Sequence, residues 1–262
     1  MCGVDLVAQA ALLVSFPVAA AVIGSIVAAL RPPGARVVSG IQHFAAGVVM
    51  AALVGEIMPE LQQENHLVWA VGGFVGGALL VLALGAYGRK TEEASLVHHV
   101  PGGGGLLVNS LTKAATVALP IGMLAAMAID LLLDGVMIGL AARLGPTQGL
   151  VMTIALTLEI LFLGLSLIGE LTQSGISKVR AVLISSGLGL LTAVGAIGGA
   201  ALLRDVSTEV MSAVLAFGAA ALLYLVVEEL LVEAHEEKES VALGAMFFLG
   251  FLLIYILSSF GG

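Results

Sequence analysis

Apolar residues fill eight long runs along the chain, and short polar breaks separate them. The runs lie at about 6–30, 37–61, 67–88, 113–143, 147–173, 177–203, 207–235 and 241–260. A helix crosses the hydrocarbon of a bilayer with about 20 mostly apolar residues, so each run is long enough to span. Only a helix satisfies its own backbone hydrogen bonds there, and the pattern therefore predicts an eight-helix transmembrane bundle. The breaks carry turn and stop residues: Arg31-Pro32-Pro33-Gly34 after the first run, Gly145-Pro146-Thr147 between the fourth and fifth. One break is long. It reaches from Arg89 to Asn109 and holds Thr91-Glu92-Glu93, His98-His99 and four glycines after Pro101. The reading is a single transmembrane unit over residues 1–262, all-α, with a polar loop at 89–112.

Composition agrees with the pattern. Hydrophobic residues make up 60% of the chain and charged ones 11%, and the mean hydropathy is +1.13, which leaves too little polar surface to solvate a soluble domain. The 34 glycines suit helices that pack closely in lipid. A net charge of −8 and the lack of a basic patch exclude a nucleic-acid partner. Cys2 is the one cysteine, so neither an intrachain disulfide nor a multi-thiolate metal site is available. The opening residues Met1-Cys2-Gly3-Val4-Asp5 lack the basic stretch of a cleavable signal.

Lysine and arginine set the orientation. Arg31, Arg36, Arg89, Lys90, Lys113, Lys178, Arg180 and Lys238 follow the odd-numbered runs, whereas Arg143 and Arg204 follow even-numbered ones. Positive loops stay in the cytoplasm, which predicts both termini outside it. The location this implies is the cytoplasmic (inner) membrane of a prokaryote, and the sequence leaves a homodimer open.

The acids inside the runs change the picture most. Glu56, Asp130, Asp134, Glu159, Glu170, Glu228, Glu229 and Glu233 all fall within predicted spans, with no Lys or Arg near a span's centre to pair with them. An unpaired charge at the bilayer centre costs at least about 2.5–3.5 kcal/mol, so several on different helices must be protonated, line water or bind a cation. For Glu170, close to a membrane surface, a protonated acid making one interhelical hydrogen bond is an equal reading. Asp130 and Asp134 are four apart and share one helix face. Glu159 lies about as far beyond the short turn at Gly145-Pro146 as Asp130 lies before it, so the three can meet at mid-membrane. Three carboxylates in a dry space repel unless protons or a metal ion hold them, and oxygen donors of this kind accept Zn, Mn, Fe or Cd ions.

Two flanking clusters extend the site. Glu228, Glu229 and Glu233 precede His235 at the end of the seventh run, where Glu229 could join the central ligands and the others would form an exit. A solvated helix end explains Glu236 and Glu237 equally well. Glu56 and Glu60, again four apart, suit an entrance at the outer end of the second run. His43 alone on an apolar face reads as a packed, hydrogen-bonded residue, and His98 and His99 could gather metal loosely in the cytoplasmic loop.

These residues resemble the ZIP (Zrt/Irt-like) divalent metal transporters. Glu228-Glu229-Leu230-Leu231-Val232-Glu233-Ala234-His235 is similar to the family's His-Glu-x-x-Pro-Glu-x-His segment, and Asp130-Leu131-Leu132-Leu133-Asp134-Gly135 to its His-Asn-x-Pro-Glu-Gly. Glu159 keeps the first ligand of the comparable helix-five motif, while Leu163 stands where a bridging carboxylate belongs and helix six offers only Ser185-Ser186-Gly187. The resemblance implies a transporter of a divalent ion, zinc foremost with Cd, Mn and Fe as alternatives, carried as substrate toward the cytoplasm. The thinned motifs imply one metal site in place of two. No nucleotide loop or activated nucleophile accompanies the acids, so no enzymatic step is expected. The competing expectations are a proton-conducting or assembly subunit, and a metal-binding scaffold that does not transport.

Overall fold

A computed structural model describes residues 6–63, 66–97, 121–235 and 240–261. Among the described residues every regular element is helical. Eight helices are long and apolar enough to cross a membrane. They are α1 (Leu6–Leu30), α2 (Ala35–Gln63), α3 (Leu67–Val97), α4 (Ile121–Leu144), α5 (Pro146–Gln173), α6 (Lys178–Leu202), α7 (Thr208–Leu230, continued by Leu231–Ala234) and α8 (Val241–Gly261). The polar end of α3 carries the helix beyond its apolar span, Leu67–Ala86, through Val97.

Burial separates the helices into two kinds. In α2 the spanning window is 67% buried and in α5 and α7 61%, against 11% in α3 and α8. The first three make the centre, and the last two lie outside it with Leu79, Phe248 and Tyr255 turned outward. α1 packs on α5 and α6, α4 on α6 and α5, α2 on α8, α5 and α7, and α3 on α7. Lipid is as apolar as leucine, so these contacts rest on close packing rather than on exclusion of water.

Glycine makes that packing possible where α4 crosses α6. Gly135 and Gly139 on α4 face Gly195 and Gly199 on α6, each pair four residues apart. A β-carbon on Gly139 would stand 2.9 Å from the amide nitrogen of Ala200, and one on Gly195 3.0 Å from that of Val136. The first is closer than real β-carbons come to backbone, and a β-carbon on Gly195 would also run into the carbonyl oxygen of Leu132. The fold thereby draws the helix segment bearing Asp134, the residue before Gly135, against α6.

Among the described residues two helices depart from α-geometry, each at acidic residues. In α2 the segment Leu53–Ile57 is a π-turn containing Glu56, and the Met58 amide reaches back five residues to Leu53 O. Pro59 supplies the reason, since it cannot donate to the carbonyl of Gly55 and its ring crowds that group. In α7 the segment Leu225–Leu230 is a second π-turn containing Glu228 and Glu229, with the Leu231 amide bonded to Val226 O. Such turns re-aim side chains and recur at functional sites.

Candidate metal centre

Asp130 and Asp134 sit one turn apart on α4, and Glu159 reaches them from α5. Gly145 and Pro146 reverse the chain between these helices, with proline in the first helical turn where its missing N–H costs nothing. One carboxylate oxygen from each of the three residues lies within 4.8 Å of the others. Glu159 is fully buried, Asp134 is 2% exposed, and Asp130 is half-buried. Asp130 Oδ2, Asp134 Oδ2 and both oxygens of Glu159 are buried without a hydrogen-bond partner. Native proteins rarely leave polar atoms so, because each costs about 1–3 kcal/mol and a charged one more. Glu229 on α7 interacts electrostatically with all three, though it stands outside the tight cluster.

No base on α4 relieves this concentration of acid. Arg143, the basic residue in its last turn, is committed at the far end of the bundle. Its guanidinium donates to Leu203 O and, at 3.1 Å, to Val206 O. No Lys, Arg or His is among the described residues that line the cavity at the cluster, so protons or a cation would balance its charge.

A cavity of about 330 Å³ reaches the cluster from one side. Asp130 and Glu159 stand at its deep end, and Gln42, Ser166, Glu170, Tyr224, Glu228 and Glu229 line the rest with Met123, Met127 and Phe162. These residues come from the first halves of α2 and α4 and the later parts of α5 and α7, with Leu84 and Gly85 of α3, so the cavity lies toward a single end of the bundle. On the opposite side of the cluster, Leu53, Ile57, Met137, Leu140, Met152, Leu156, Leu215 and Leu222 are fully buried in the main core.

The flanking acids divide. Glu228 and Glu229 line the cavity, and the π-turn that holds them sets their direction. Glu56 lies beyond the apolar layer, 6% exposed, and accepts a hydrogen bond from Ser258 Oγ of α8 at 2.6 Å. Glu60 is half-exposed near the end of α2. The backbone of Glu233 is helical but its side chain lies outside the described residues, as do His98 and His99 entirely. Ser185 on α6 accepts a hydrogen bond from Ser25 of α1 at 2.6 Å and so joins two helices away from the cavity. Spacing gave no sign of Gln42 and Tyr224, which reach the cavity from helices distant in the chain. His43, expected to be a packed residue, has the ring of His235 beside it.

A bundle of membrane-spanning helices with an acid cluster at mid-depth and an acid-bearing cavity beside it suits a membrane protein that handles cations. The profile of the ZIP zinc transporter family matches residues 109–258, more than half of the chain, and the chain belongs to that family of divalent metal transporters. The matched stretch holds α4 to α7 and most of α8, and with them Asp130, Asp134, Glu159, Glu228 and Glu229. No curated protein compared with the chain matches it. The family comprises transporters rather than enzymes.

Proposed function

We propose that this chain carries a divalent metal ion into the cytoplasm through one site made by Asp130, Asp134 and Glu159, with water or Glu229 completing the shell. The supporting observation is the convergence of three acids within 4.8 Å whose buried oxygens have no partner. A divalent cation supplies the missing charge and fills those oxygens at once. Zinc is the leading substrate, by family, and the all-oxygen donor set also suits Mn and Fe, with Cd as a surrogate.

Direction follows from charge and cavity together. The loops at the open end carry most of the chain's 10 Lys and Arg, so that end faces the cytoplasm and both termini face away. The form described is then open inward and closed outward by the apolar layer. An ion would enter past Glu56 and Glu60 when the outer layer parts, and leave past Glu228, Glu229, Glu233 and His235, with His98 and His99 in the loop beyond. Rocking of α2, α5 and α7 against their neighbours would expose the cluster alternately. The cytoplasmic (inner) membrane of a prokaryote is the setting this orientation assumes.

The unpartnered oxygens equally suit protons, which keeps a proton-conducting role as the second reading. Uptake of Zn, Cd, Mn and Fe ions into proteoliposomes separates the two. Asp130→Ala and Glu159→Ala should each cut metal uptake by at least about tenfold, the loss of one ligand's worth of binding. Proton flux without metal flux in the parent would move the assignment to the second reading, and the absence of both would leave a scaffold.

A further inference from the structure

Beyond the acid cluster, the start of α2 and the end of α7 bring two imidazoles together. The ring centroids of His43 and His235 are 5.1 Å apart with the planes inclined at 52°. His43 is 6% exposed, whereas His235 is exposed. Each ring is anchored in the same way, its Nδ1 directed at a main-chain carbonyl four residues earlier. His43 reaches Ser39 O at 2.9 Å, and His235 reaches Leu231 O. A carbonyl only accepts, so in both neutral rings Nδ1 carries the hydrogen and Nε2 carries the lone pair. Metal-binding histidines are held in this manner, with the second nitrogen donating to a carbonyl so that tautomer and ring direction are set.

The pairing is fastened independently of the rings. Ser39 Oγ donates to Ala234 O at 2.7 Å, tying α2 to the residue before His235. The rings border a cavity of about 430 Å³ shared with Ser240, Leu243 and Gly244 at the start of α8, which leaves room for an ion and its waters. Position adds to the chemistry. Gln42, the neighbour of His43, lines the acid-bearing cavity, and so does Glu229. His235 is six residues past Glu229, about 9 Å along a helix.

We propose that His43 and His235 form a two-imidazole binding site for a borderline transition-metal ion such as Zn or Cd, just beyond the inner mouth of the acid cavity. Two nitrogens with water in the remaining positions bind such ions and discriminate against Ca and Mg. An incomplete shell holds the ion briefly, as a release step requires. The release role rests on the reading of Asp130, Asp134 and Glu159 as the transport site; the binding does not.

Equilibrium dialysis of zinc against the purified full chain tests it, in an Asp134→Ala background that disables the acid cluster. One weaker zinc site should remain, and adding His43→Gln or His235→Gln should weaken it by at least about tenfold. His235→Gln alters an exposed side chain, so it guards against a folding defect from the buried substitution. The remaining site should also show imidazole scattering in its zinc X-ray absorption spectrum. Zinc binding unchanged in both histidine variants overturns the proposal, and so does a remaining site without imidazole. If Asp134→Ala leaves tight zinc binding and uptake intact while the histidine variants still lower the weaker site, the acid-cluster reading falls and this one stands.

Discussion

The two halves of the bundle, divided at Asp130, Asp134 and Glu159, are built on opposite plans. Toward the loop end rich in Lys and Arg the space between α2, α4, α5 and α7 is a cavity bearing Glu170, Glu228 and Glu229. Away from it the same four helices close on one another through leucine, isoleucine and methionine. A symmetric pore would have been polar throughout. Here the acids stand at the floor of a one-sided vestibule, which is what alternating access needs: a site reached from one side while a packed layer blocks the other. The difference also shows why the acids are tolerated. In the described form Asp130, Glu159 and Glu229 border the cavity, and of the cluster only Asp134 stands behind it, 2% exposed.

The contrast can be broken by chemical access. Cys2 is the single cysteine, so Cys2→Ser gives a silent background. A cysteine placed at Ser166, in the cavity, should react with a small water-soluble thiol reagent at least about a hundredfold faster than one at Leu156, in the sealed layer. Equal rates would mean that the outer half admits water as freely as the inner. Next in size is the α4–α6 crossing, on which the sealed half depends. Gly139→Leu should destabilise the protein by about 1–3 kcal/mol through overpacking, read from thermal unfolding in detergent. A change near zero would show that the close approach at Ala200 is not held. The smallest effect belongs to the outer acid. Ser258→Ala removes the hydroxyl that Glu56 accepts from and should cost about 0.6 kcal/mol, the average for polar contacts between membrane helices.

Spans and acids were legible in the sequence for different reasons. Spans show because lipid demands unbroken apolar runs, and the eight helices follow from that demand alone. The meeting of Asp130, Asp134 and Glu159 was legible because helical spacing and one short turn join neighbouring helices, so geometry carries over from residue number. Contacts between helices remote in the chain have no such signal. Nothing in the spacing puts Gln42 beside Glu228, or His43 beside His235. The π-turns were hidden too. Pro59 explains the one in α2 after the fact, but α7 forms its turn with Val232 where the resembled motif has proline, so no breaker in the sequence marks it. The apolar layer was equally unreadable, since Leu156 and Leu163 look alike in sequence while one is buried in the core and the other lines the cavity.

The central claim is that the three acids hold the ion, and X-ray absorption at the zinc edge on purified protein tests it most directly. With one equivalent of zinc per chain, the spectrum should show oxygen neighbours at about 2.0–2.2 Å, and Asp134→Asn should abolish that signature. A spectrum dominated by imidazole, or one that Asp134→Asn leaves unchanged, would contradict the account.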